Sequence, residues 1–138
     1  MAEESPSPDL VERTRRSFEA ASRSDWDAVM GFFAHDAVWE VPELQAFEGQ
    51  DAIRGFLEDW VGAYQDANIE VEDLLDLGGG ITHVTATLNG RLADSTGHMR
   101  VRFGATYRWV GDLIVYVASY PDIDEARAAA ERLAEEAK

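Results

Sequence analysis

Residues 35–42 read HDAVWEVP and place a carboxylate, Glu40, between Trp39 and Val41. A carboxyl buried beside large apolar side chains resists ionisation, and raised pKa values of that kind serve catalytic acids and bases. Strand alternation argues against that use here: if Val41 and Trp39 point inward, Glu40 points away, to water or to an arginine such as Arg100 or Arg102. Turning it inward would take a bulge beside Pro42. His35 and Asp36 sit where a helix ends, which suits turn and capping chemistry. His83 and His98 fall on neighbouring strands but far apart along them. There is no HxH, no HExxH and no clustered carboxylate motif, so no metal is expected. There is also no cysteine and no G-x-S-x-G element to supply a nucleophile. The GGG run at 78–80 precedes no helix and reads as a turn rather than a phosphate cradle. No cofactor is expected.

Tyrosines and tryptophans are the other candidates. Tyr107, Tyr116 and Tyr120 lie in strand-like stretches, and a buried phenol normally finds a hydrogen-bond partner. With the indole N–H groups of Trp39 and Trp60 they could orient a carbonyl or hydroxyl of an apolar ligand. An unperturbed phenol titrates near ~10 and makes a poor base at neutral pH.

The chain that must position these groups has 138 residues, a length that suits one domain. Twenty-seven acidic against twelve basic residues give a net charge of -15, which opposes binding to nucleic acid or to an anionic membrane. The absence of cysteine fits a cytoplasmic protein. The longest strongly apolar run, LIVYVASY at 113–120, falls far short of the ~20 residues of a spanning helix.

Residues 1–7 read as a disordered tail, 8–121 as a single domain and 122–138 as a C-terminal helix. Ser7 and Pro8 resemble the start of a helix that runs to about Ser22 with Leu10, Thr14, Phe18 and Ala21 on one side. Ser24 opens a second helix, with Trp26, Val29, Met30 and Phe33 as its stripe. HDAVWEVP is a short strand followed by a loop at 43–48. A third helix spans about 50–64, with Ile53, Phe56, Leu57, Trp60 and Tyr64 along one side. Strands follow at 69–77, at ITHVTATLNGRL, at HMRVRFGATYRWV and at LIVYVASY. ADSTG links the second of these to the third, and Gly111-Asp112 forms a two-residue hairpin. Asp122 caps a final helix whose stripe (Ile123, Ala126, Ala130, Leu133) is thin, so weak docking or fraying is expected.

The Gly111-Asp112 hairpin sets a register in which Val110 pairs with Leu113, Tyr107 with Tyr116, Ala105 with Ala118 and Phe103 with Tyr120. Pairing Arg91 with His98 sets Leu88 opposite Val101, Ala86 opposite Phe103 and Val84 opposite Ala105. One face then carries Val84, Ala86, Leu88, Val101, Phe103, Ala105, Tyr107, Trp109, Ile114, Tyr116, Ala118 and Tyr120. The other carries His83, Thr85, Thr87, Asn89, Arg100, Arg102, Thr106, Arg108, Val115, Val117 and Ser119. The aromatic face needs the three N-terminal helices to cover it, giving an α+β fold. Ala86, Ala105 and Ala118, side by side, leave room for a pocket. The polar face suits a homodimer interface.

The stretches SDWDAVMGFFAHDAVWEVP and EGQDAIRGFLEDW, in this order of elements, resemble the SnoaL-like polyketide-cyclase family of the nuclear transport factor 2-like superfamily, over about residues 8–125. The resemblance implies a cone-shaped fold, with a curved, mainly antiparallel sheet packed on three helices around a deep pocket, usually in dimers. It does not imply one chemistry. The ketosteroid isomerases of that superfamily place an aspartate base where this chain has Val41. Their oxyanion-hole tyrosine would fall at about Ser17 or Phe18, and their oxyanion-hole aspartic acid at about Ala105. None of these carries the needed group, so steroid isomerisation is not expected. The Asp-Arg-Asp set of the related epoxide hydrolases has no counterpart on the inward face.

The leading reading is binding of a small hydrophobic or aromatic molecule, with Trp39, Val41, Phe56, Trp60, Phe103, Tyr107, Tyr116 and Tyr120 as pocket walls. A cyclase- or isomerase-type enzyme acting on a small hydrophobic or polyketide-like substrate is the alternative. Its acid or base would come from Glu40, Asp36 or the loop at 43–48. A dimerisation module with a filled core is the third reading.

Overall fold

In the computed structural model, which describes residues 9–42, 44–92 and 97–136, the first helix begins at an aspartate. Asp9 accepts a hydrogen bond from the Glu12 N–H and caps α1 (Leu10–Ser22). The tail, the Ser7-Pro8 start and most of ADSTG lie outside the described residues. Ser24 does not open the second helix. It takes a φ of 57° in the joint, and Asp25 caps α2 (Trp26–Met30) through the Ala28 N–H. The strands and remaining helices are β1 (Phe33–Val41), β2 (Gln45–Glu48), α3 (Gln50–Gly62), β3 (Tyr64–Gly78), β4 (Ile81–Leu92), β5 (His98–Val110), β6 (Leu113–Tyr120) and α4 (Ile123–Glu136). The segment expected as loop contains β2, which pairs antiparallel with β1.

The six strands form one mixed sheet in the order β2-β1-β6-β5-β4-β3, antiparallel except where β1 runs parallel to β6. Helices α1 to α3 cover one face. A buried polar chain pins α1 to that face. Trp109 Nε1 donates to Thr82 Oγ1 at 3.1 Å, and Thr82 Oγ1 lies 3.1 Å from Thr14 Oγ1, which donates to the Leu10 carbonyl at 2.7 Å. Each hydroxyl has one proton, so Thr82 must be the donor to Thr14, and the chain runs one way from indole to helix backbone.

The register between β4 and β5 is the expected one, with Leu88 opposite Val101 and Val84 opposite Ala105. The register between β5 and β6 holds only at the turn. After Trp109 opposite Ile114 the pairing shifts, and Arg108 faces Tyr116, Tyr107 faces Val117 and Ala105 faces Ser119. Val115 is the extra residue of a β-bulge, and it exchanges the faces of everything that follows in β6. Tyr116, Ala118 and Tyr120 therefore leave the helix-covered face, and Val117 and Ser119 enter it. Ala118 no longer sits beside Ala105. A sealed Tyr116 hydroxyl would need a partner inside, whereas Val117 needs none and is fully buried.

The outer face is covered more firmly than its thin helical stripe suggests. Ala126 and Ala130 of α4 are fully buried on β4 and β5. Gly104 makes this approach feasible: a methyl built on it would overlap the Ala126 methyl. The expected capping holds, with Asp122 Oδ1 accepting from the Glu125 N–H at 3.0 Å. Under α4 lies His83, 1% exposed, its Nδ1 3.0 Å from Thr106 Oγ1 and its Nε2 without a partner among the described residues. Burial, reinforced by Arg127 and opposed by Asp73 and Glu131, pushes the imidazole below its ordinary pKa.

Two predictions follow from this packing. Gly104→Ala is expected to destabilise the fold by about 1–3 kcal/mol through overpacking, with partial recovery in Gly104→Ala/Ala126→Gly, read by urea denaturation. Because folding lowers the His83 pKa, the unfolded chain takes up the proton first, and stability falls as pH drops below about 6.5. The loss of urea midpoint between about pH 7.5 and about pH 5.5 should therefore be smaller in His83→Gln than in the wild type.

Candidate functional site

Aromatic positions one turn apart on α3 meet alternate positions on two strands. Phe56 and Trp60 of α3 face Trp39 and Val41 of β1 and Val101 and Phe103 of β5. These residues wall a pocket of about 240 Å³. Leu44, Ser119, Tyr120 and Pro121 complete its rim, together with Arg102. The rings form a continuous series with centroid separations of 5.7 Å from Trp39 to Phe56, 6.3 Å from Phe56 to Trp60 and 5.1 Å from Trp60 to Phe103. The last contact is edge-on at 80°, a favourable arrangement for aromatic quadrupoles. Phe47 of β2 stacks on Phe56 at 4.4 Å and supports the series from outside.

Trp39, Trp60 and Phe103 also border a second, inner cavity of about 30 Å³, room for about one water molecule. Tyr107 lines it together with Ser17 and Phe18. Burial drives the Tyr107 pKa far above the usual phenol value, and no described residue hydrogen-bonds its hydroxyl. A phenol so placed stays protonated and can donate.

The expected wall residues Trp39, Val41, Phe56, Trp60 and Phe103 thus surround one pocket, and Tyr107 lies behind it. Tyr116 does not. The β6 bulge carries it to the outer face, where its hydroxyl donates to Glu40 Oε1 at 2.5 Å. Tyr120 follows the same face exchange, but at the strand's end it still borders the pocket mouth. Glu40 points away from the pocket as alternation predicts, with a phenol rather than Arg100 or Arg102 as its partner. Arg102 pairs with Glu72 at 3.0 Å, and Arg100 lies 3.9 Å from Glu70. Burial, and then the Glu40 contact, raises the Tyr116 pKa. His35 and Asp36 are exposed in an irregular stretch of β1 rather than at the end of α2. No carboxylate or imidazole lines the 240 Å³ pocket among the described residues.

Sequence reasoning puts Ser119 on the outer face, whereas the bulge turns it to the pocket. Its hydroxyl accepts a hydrogen bond from Trp39 Nε1 at 2.9 Å, so the bulge supplies the pocket with a serine where the regular register would place an alanine on that face. Nothing in the apolar run 113–118 marks the extra residue. The pairing of Tyr116 with Glu40 gives a test. Tyr116→Phe should cost about 0.5–1.5 kcal/mol in urea denaturation while leaving ligand binding in the pocket unchanged, because the phenol lies on the other side of the sheet.

The same architecture recurs among solved structures. A protein from Jannaschia sp. CCS1 assigned as a SnoaL-like polyketide cyclase superposes with a TM-score of 0.75 at 17% identity, covering 94% of this chain and 97% of that one. A Mycobacterium tuberculosis protein in complex with estradiol-17β-hemisuccinate gives 0.70 at 19% identity, over 86% and 97%. A Catenulispora acidiphila protein of ketosteroid isomerase-like fold, in complex with trimethylamine, gives 0.71 at 14% identity, over 91% and 95%. At these identities the likeness shows the fold. No curated protein matches significantly in sequence. The model of the SnoaL-like domain matches residues 14–117, which spans α1 through most of β6, and the chain belongs to that family.

Proposed function

We propose that this protein binds a small hydrophobic or aromatic molecule in the 240 Å³ pocket. The observation that carries the reading is the lining itself: aromatic and aliphatic side chains on three elements, an open mouth and no carboxylate or imidazole among the described residues. Trp39, Val41, Phe56, Trp60 and Phe103 are the proposed contacts, with Tyr120 at the mouth and Tyr107 behind. The volume limits the ligand. Drug-sized molecules occupy pockets of roughly 300–1,000 Å³, and a dry apolar cavity of about 150 Å³ holds benzene. A molecule of one or two rings fits between these bounds. The small molecules bound to the Mycobacterium and Catenulispora proteins support a ligand-binding use of this fold.

The enzymatic alternative, a cyclase or isomerase acting on a small hydrophobic or polyketide-like substrate, needs a base at the substrate. Glu40 faces the opposite side of the sheet and Asp36 lies exposed in β1, so neither favours it. The filled-core reading fits the small inner cavity but not the open outer pocket. We also infer a cytoplasmic homodimer. Its contact would use the part of the outer face around Val38, Glu40, Arg108 and Tyr116, where α4 makes little contact. No described helix is long and apolar enough to cross a membrane.

Indane, a two-ring hydrocarbon, tests the binding proposal. Calorimetric titration should show saturable binding to the wild type, and Val101→Trp, which fills the pocket from β5, should weaken it by at least about tenfold at an unchanged urea midpoint. Equal binding to both proteins would place the hydrocarbon elsewhere.

A further inference from the structure

The pocket's polar side-chain atoms are few, and their hydrogen-bonding capacity can be counted. An indole N–H only donates, so the 2.9 Å contact between Trp39 Nε1 and Ser119 Oγ fixes the serine oxygen as acceptor toward the tryptophan. The hydroxyl keeps its own proton, and no described residue accepts it. Ser119 lines the pocket and pairs with Ala105 on the next strand. The Trp60 indole N–H on the facing helix is likewise a donor without a described acceptor. The Arg102 guanidinium at the rim is engaged by Glu72. No carboxylate, amide or imidazole acceptor occurs among the described lining side chains. A donor group on a ligand would find side-chain acceptors there only in the Ser119 and Tyr120 hydroxyls, whereas an acceptor oxygen would meet the free Ser119 proton.

We propose that Ser119, oriented by Trp39, is the specificity-determining hydrogen-bond donor of this pocket, and that it selects one- or two-ring molecules carrying an acceptor oxygen (a carbonyl or ether) over the matching hydrocarbon or amine. The inference rests on the binding reading above and narrows it to a ligand class. The bulge at Val115 is what makes it available, because the regular register would turn Ser119 to the outer face and leave Ala118 in its place. The apolar wall contributes area to every ring compound alike. Discrimination among them comes from satisfying or wasting the Ser119 proton that Trp39 orients.

Three molecules of nearly the same shape separate the outcomes: indane, 1-indanone and 1-aminoindane, titrated calorimetrically at neutral pH. The wild type should bind 1-indanone about fivefold or more tighter than indane, and bind the amine more weakly than indane, as expected for one net hydrogen bond gained and one unpaired charge buried. In Ser119→Ala the ratio of 1-indanone to indane affinity should fall to within about twofold, and Ser119→Thr, which keeps a hydroxyl, should restore it. The urea midpoint of each variant checks that it is folded. Absence of indane and indanone binding to the wild type would overturn the pocket reading and this inference together. Equal binding of the two, or a ketone preference that survives in Ser119→Ala, would overturn this inference and leave the pocket standing.

Discussion

One extra residue in the last strand governs the two faces of the sheet. With Val115 bulged, Val117 and Ser119 turn toward the helices and Tyr116 turns away. Two side-chain contacts then tie β6 to its parallel neighbour β1 from opposite faces: Trp39 to Ser119 inside, and Tyr116 to Glu40 outside. Strand β1 carries a matching irregularity, since Phe33 pairs with Ile114 but Val38 already pairs with Tyr116. The alternation of Trp39 and Glu40 and the alternation of Ser119 and Tyr116 are thereby brought into phase. A shift of one residue in β1 would put a carboxylate in the aromatic core and an indole in water, and one in β6 would exchange Ser119 for the Tyr116 phenol.

The energetics of the interior follow from that phase. The helix-covered face collects rings and aliphatic groups, and its few polar atoms are handled singly. The Trp109–Thr82–Thr14 chain ends on the Leu10 carbonyl of α1. The Tyr107 hydroxyl is left to the small inner cavity, and the Ser119 hydroxyl to the pocket. Charge is kept outside, where the ion pairs are exposed, as between Arg54 and Asp27 or Arg91 and Asp66, and contribute little each. The large acidic excess therefore shapes solubility more than it shapes the pocket.

Much of this was legible in the residues. The existence of the helices, the β4–β5 register, the hairpin at Gly111-Asp112 and the outward turn of Glu40 follow from spacing and alternation, whereas Phe33 and Tyr64, expected on helices, open β1 and β3. The failures in β6 have one physical origin. In LIVYVASY both faces are apolar or small through Ala118, so alternation assigns no side, and the hairpin register was carried past a bulge that nothing local announces. Tyr116 and Ser119 were misassigned for that reason. The docking of α4 was underestimated from its alanines. A stripe of small residues looks weak in isolation but is strong opposite a glycine, and Gly104 lies on a strand far away in sequence. Segment 43–48 hid β2 because four residues with one aromatic do not carry a period.

Among the described residues, the pocket walls carry no carboxylate and no imidazole. Proton abstraction in a dry pocket needs a carboxylate or imidazole within hydrogen-bond reach of the substrate. Positioning such a group requires a strand residue at the pocket end of β1 or on the inner face of β5. This chain spends those positions on Val41, Phe103, Ala105 and Tyr107. Each adds apolar area or leaves space, and none titrates near neutrality. The inward Tyr107 phenol is held protonated by its burial, which makes it a donor like Ser119. Donors facing apolar walls can hold a carbonyl in a fixed orientation.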